Sequence, residues 1–95
     1  MNLEIDGLRI ASDKDFHTAI AAVLHLSGYY GANLDALNDV LSTDVERPVV
    51  LAWLHSENSR AAMGAAFTRI VTVLRHVEAQ DVQWGLAEKF ELRLA

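Results

Sequence analysis

The chain has 95 residues, a formal net charge of −5, 52% hydrophobic residues, one proline and no cysteine. That length suits a single domain, which buries roughly 60–70% of the surface its unfolded chain exposes and needs no staples. Apolar content this high excludes a disordered chain, and the missing cysteine excludes disulfides and thiolate metal sites and fits a reducing compartment.

Met1–Asp6 has neither a basic stretch nor an apolar one, so no secretory leader is expected. The longest apolar runs, Ala19–Leu24 and Val49–Leu54, are six residues each, and a membrane span needs about 20. There is no repeat, low-complexity stretch or linker, so residues 1–95 read as one domain.

Residues 2–6 alternate, with Leu3 and Ile5 one way and Glu4 and Asp6 the other, which predicts a short strand. Asp6-Gly7 signals a turn, after which Leu8 and Ile10 resume an extended segment. Ser12 with Asp15 resembles a capping box, and Phe16, Ile20, Val23 and Leu24 recur at helical spacing. The first helix therefore spans about 13–25 and ends at Ser27-Gly28. A loop with two aromatics, Tyr29-Tyr30-Gly31, leads to Asn33, a good N-cap for a second helix reaching about residue 42. Pro48 opens the next element, and Val49–Leu54, apolar in both alternating directions, predicts a strand covered on both faces. Ser56, Asn58 or Ser59 is the candidate cap of a following helix. Met63, Phe67, Ile70, Leu74 and Val77 carry helical spacing to about residue 79, with Gly64 dividing it. Residues 81–87 fit no single pattern, and alternation returns from Phe90 as a terminal strand with one wet face. Strands separated by helical crossovers pair in parallel, so the fold class is α/β: a three-stranded parallel sheet with three to four packed helices.

The eight Lys and Arg residues are scattered, and none lies between Lys14 and Arg47. Direct contact with nucleic acid, which needs clustered cations, is not expected. Within that interval, Leu34, Leu37 and Leu41 line one side of the second helix, at roughly 100° per residue. Asp35, Asn38, Asp39 and Ser42 line the other. Asp35 and Asp39 are one turn apart, a like-charge pair that costs about 0.2–0.5 kcal/mol in an isolated helix. No Lys or Arg stands three or four positions away to offset it, so the pair is a candidate for contact with another molecule. The alternative is an ordinary solvated face. Tyrosines beside acids suit a protein interface, with Tyr29 expected outward and Tyr30 inward.

The run Tyr29-Tyr30-Gly31-Ala32-Asn33-Leu34-Asp35-Ala36-Leu37-Asn38-Asp39-Val40-Leu41 resembles the signature of the barstar family. Val45-Glu46-Arg47-Pro48-Val49-Val50-Leu51-Ala52-Trp53 resembles a second block of the same family, and the spacing between the blocks fits without gaps. The resemblance is sharp over 29–53 and extends in element order over roughly 1–80. It implies a non-enzymatic cytoplasmic inhibitor, an immunity protein that blocks a basic secreted ribonuclease in a 1:1 complex and is a monomer when free. It implies no catalytic residue, cofactor or metal. Carried onto matching positions, it implies that Tyr29 covers the active-site mouth, Gly31 allows close backbone approach, Asn33 caps the helix and touches the rim, and Asp35 and Asp39 enter the phosphate-binding cleft. A carboxylate can accept the charge-assisted hydrogen bonds meant for a phosphoryl group while offering no scissile bond.

Three positions depart from the family's type. Asn38 replaces an aromatic, Asp44 replaces an aromatic in the loop after the second helix, and His76, with Glu78 nearby, stands where an acid flanks the inhibitory face. The partner-facing set is thus Tyr29, Gly31, Asn33, Asp35, Asn38, Asp39, Asp44 and His76. The departures keep open a barstar-like interaction module with another partner. Residues 81–89 are longer than the family's equivalent, and the resemblance implies a cis bond before Pro48. His17, His25, His55 and His76 lack metal-ligand spacing and read as lone surface histidines; a hydrolase using one of them is the third reading. Trp53 and Trp84 read as core or interface side chains.

Overall fold

The computed structural model describes residues 1–95. The elements are β1 (Asn2–Asp6), α1 (Asp13–Val23), α2 (Leu34–Asp39), β2 (Val49–Leu54), α3 (Ser56–Met63), α4 (Ala65–Gln83) and β3 (Phe90–Leu94). The strands form one parallel sheet in the order β1-β2-β3, with Leu3 opposite Leu51 and Leu51 opposite Leu92. The four helices and the parallel sheet are the architecture expected from the alternation of strand and helix patterns.

One face of the sheet makes the core. Ile5, Val49, Leu51, Trp53, Phe90 and Leu92 are buried there against Phe16 and Ile20 of α1, Leu37 of α2 and Ile70, Leu74 and Val77 of α4. Trp53 lies between Phe16 and Phe67, at ring-centroid distances of 5.0 and 4.9 Å. Its indole N–H donates to Ser59 Oγ at 3.1 Å, and Ser59 in turn donates to the Gly7 carbonyl at 3.0 Å. The other face corrects the expectation for β2. Val50, Ala52 and Leu54 are only half-buried, because exposed Glu4, Asp6, Glu91 and Arg93 of the flanking strands keep that face wet.

Several boundaries also move. Gly7–Arg9 is a 3-10 turn rather than resumed strand, since Asp6 Oδ1 accepts the Leu8 N–H at 2.9 Å. Ser12 caps α1 as expected, accepting from the Asp15 N–H at 3.1 Å. The helix stops at Val23, before Ser27-Gly28. His25 takes a left-handed φ of 53°, and the Leu26 and His25 N–H groups donate to Ala21 and Ala22 carbonyls, closing the last turn. None of the three candidate residues caps α3 through its side chain. His55 holds the cap position at φ 51°, while Ser56 Oγ donates to the Ala95 carbonyl and Ser59 is buried under Trp53. Gly64, at φ 58°, separates α3 from α4 as anticipated. The Arg47–Pro48 bond is cis.

The region 81–87 is resolved by burial. α4 continues to Gln83, and Asp81 extends the buried stripe of Leu74 and Val77. Its carboxylate takes two hydrogen bonds from Arg47, at 2.9 and 3.2 Å, and one from the Phe90 N–H at 2.8 Å. An acid in the apolar stripe hid the last turn of this helix from pattern reading. No helix is long and apolar enough to cross a membrane.

Candidate partner-binding face

α2 is short and its start is fixed locally. Asn33 sits in extended backbone and its Oδ1 accepts the Ala36 N–H at 2.8 Å, while its Nδ2 donates to the Gly31 carbonyl at 3.4 Å. Gly31 packs close beneath. A Cβ there would meet the Ala36 Cβ at 3.2 Å, so glycine lets the loop press onto the helix. Ala32, between them, takes a left-handed φ of 52°.

The two tyrosines separate as expected. Tyr29 is 97% exposed. Tyr30 is half-buried, and its hydroxyl lies 2.6 Å from His17 Nδ1. His17 itself is buried, edge-on to Phe16, which corrects its reading as a surface histidine. Burial lowers its pKa against the opposing pull of Asp13, and burial pushes the Tyr30 phenol up to about 12. This contact between α1 and the loop positions the loop on which Tyr29 projects.

Asp35 and Asp39 are both exposed. None of the five ion pairs involves either carboxylate, nor does a side-chain hydrogen bond. Past Asp39 the helix widens into a π turn, Val40–Asp44, with Thr43 Oγ1 donating to the Asp39 carbonyl at 2.6 Å. The wider turn changes the angular register, so Ser42 does not share the solvent side. It is half-buried and donates to Gln80 Oε1 of α4 at 3.3 Å. Asp44 is exposed and accepts from Thr43 Oγ1 at 3.2 Å. Asn38 is half-buried, and its Oδ1 is buried with no hydrogen-bond partner.

His76 is exposed on α4. Glu78 turns elsewhere: it accepts the Leu92 N–H at 2.8 Å and pairs with Arg75 at 3.0 Å, and Arg75 also donates to the Leu92 carbonyl. These side chains occupy the outer edge of β3. Arg69 of α4 was not anticipated. It borders a cleft of about 170 Å³ with Asn33, Leu34 and His17, so the fold brings one cation to the start of α2. No group of three or more His, Cys, Asp and Glu is placed to hold a metal ion.

The geometry can do one thing well. It presents two carboxylates and a tyrosine on a short capped helix and its loop, with no cation of the same chain bound to the acids. Residues 1–94 match the family model described as Barstar (barnase inhibitor). A Bacillus subtilis (strain 168) protein named "Putative ribonuclease inhibitor YrdF" is 30% identical over 88 residues, covering 93% of this chain and 91% of that protein. A match from the first strand to the last makes this chain a member of the barstar family.

Proposed function

We propose that the chain inhibits a small basic ribonuclease by lodging Asp35 and Asp39 in the cationic cleft where that enzyme holds RNA phosphate. The observation that carries this reading is that both carboxylates are exposed and unpaired on a helix whose start Asn33 fixes. A ribonuclease cleft gathers Arg, Lys and His to stabilise charge on a transferring phosphoryl group, and carboxylates take those hydrogen bonds without turning over. Tyr29 covers the mouth of the cleft, Gly31 and Asn33 meet its rim, and Asn38, Asp44 and His76 border the contact. The complex is 1:1, and the inhibitor acts as a monomer inside the cell that makes the secreted enzyme. It is a stoichiometric inhibitor, with no catalytic residue or cofactor.

Titration into barnase and a panel of small basic secreted ribonucleases, including any encoded beside this chain, tests it. The expected result is loss of RNA cleavage at equimolar inhibitor. An excess that leaves every member of the panel active overturns the reading.

The engagement of Glu78 with Arg75 and the edge of β3 favours one second reading, a barstar-like module with a different partner. That carboxylate is tied to Arg75 and β3, so the flanking helix offers His76 rather than an acid. A partner captured equally at low and high salt supports this reading, because a basic nuclease is salt-sensitive.

A further inference from the structure

The surface next to α2 continues past its end. Ser42 of the π turn and Val45 just after it line an open groove of about 470 Å³ together with Trp84, Leu86 and Glu88. The Ser42–Gln80 hydrogen bond ties the π turn to α4, the helix that ends at Trp84. Trp84 is 57% exposed although it is one of the largest side chains in the molecule. Its backbone is held without the indole: it caps α4, and its N–H donates to the Gln80 carbonyl at 2.9 Å.

The charges of the groove point to one kind of occupant. Arg47 and Asp81 line its floor but are paired, with side chains only 12% and 1% exposed. Arg47 is further committed to the Val45 carbonyl at 2.7 Å. Of the charges that line the groove, Glu88 alone is exposed and takes part in none of the ion pairs; Lys89 follows it in the chain but does not line the groove. An indole face and an unpaired carboxylate lining one groove attract a cation, and a guanidinium stacks on tryptophan better than an ammonium does. A second copy of this chain would instead bring a molecule of net charge −5, the same sign as Glu88, to the groove.

We infer that the Trp84 groove extends the partner-binding face by taking an arginine of the basic partner, its guanidinium stacked on the indole and directed at Glu88. This rests on the inhibitor reading and adds an aromatic contact past α2, in a chain that carries Asn38 and Asp44 where the family's type has aromatics. The anchor comes from residues far along the chain, at the exit of α4.

The test compares Trp84→Ala, Trp84→Leu and Asp39→Ala as inhibitors of the ribonuclease panel, with thermal midpoints and sedimentation of each free protein. Trp84→Ala is expected to raise the inhibition constant about tenfold or more with an unchanged midpoint. Trp84→Leu, which keeps apolar cover but removes the π face, is expected to lose nearly as much. If Asp39→Ala weakens inhibition while Trp84→Ala does not, the Trp84 anchor is overturned and the inhibitor reading stands. If Trp84→Leu inhibits like the parent chain, the stacked arginine is overturned. A free dimer that Trp84→Ala dissociates overturns it in favour of a second copy. If no ribonuclease is inhibited by the parent chain, both readings fall together.

Discussion

Asp39 holds its charge at the last α-helical position of α2, exposed and one turn from Asp35. Its removal relieves a like-charge pair and breaks no contact of the carboxylate, so Asp39→Ala should leave unfolding free energy within about 0.5 kcal/mol. The same substitution should weaken ribonuclease binding by at least about 2 kcal/mol, as a desolvated charge contact does. Calorimetric unfolding beside an inhibition titration checks both; equal losses would make Asp39 a structural residue. Gly7 is the opposite case. A Cβ there would sit 2.2 Å from the His55 carbonyl and 2.4 Å from that of Leu54, both backbone atoms that cannot step aside. Gly7→Ala should cost about 3 kcal/mol in denaturant unfolding without touching the acidic face. His17 supplies a pH dependence. The unfolded chain takes up a proton near the ordinary 6.5, while burial keeps the folded imidazole neutral to lower pH. Below that value the unfolded state binds more protons, so stability falls as pH drops. The thermal midpoint should decline from neutral pH towards 5, and His17→Gln should flatten that slope.

At the scale of elements, the contact between Arg47 and Asp81 ties the segment after α2, the last turn of α4 and the start of β3 into one joint. Burial by itself would push the Asp81 carboxyl up. The Arg47 and Phe90 hydrogen bonds and the charges of Arg47 and Lys89 outweigh that and hold it below its ordinary value. Its contribution is therefore present above about pH 3.8 and lost as pH falls through the lowered value. Arg47→Ala leaves a buried carboxylate without its partner and should destabilise by about 3–5 kcal/mol, read by chemical denaturation. Asp81→Asn, which keeps an acceptor for the Phe90 N–H, should cost less. The acid end of the stability curve should flatten in both.

At the scale of the whole molecule, a net charge of −5 with no Lys or Arg between Lys14 and Arg47 gives the α2 side a negative field. Association with a basic enzyme should slow about tenfold or more as salt rises from about 0.01 to 0.15 M, with a smaller change in the dissociation rate. Stopped-flow mixing across that range checks it. Short-range pattern carried far. The alternation of β1 and β3, the Ser12 and Asn33 caps, the break at Gly64 and the placement of Asp35 and Asp39 on the side of α2 away from its leucines are all set by neighbours within a turn or a strand. They were legible for that reason. Contacts between residues far apart in the chain left no such trace. Asp81 was hidden because its partner Arg47 lies 34 positions away, and His17 because Tyr30 shields it from another element. The open face of β2, the turning of Ser42 towards Gln80, the approach of Arg69 to the start of α2 and that of Trp84 to Ser42 and Val45 depend on how the helices seat against one sheet face. Periodicity says which side of a helix is apolar; only packing decides which polar residues then meet, and which acids stay free for another molecule.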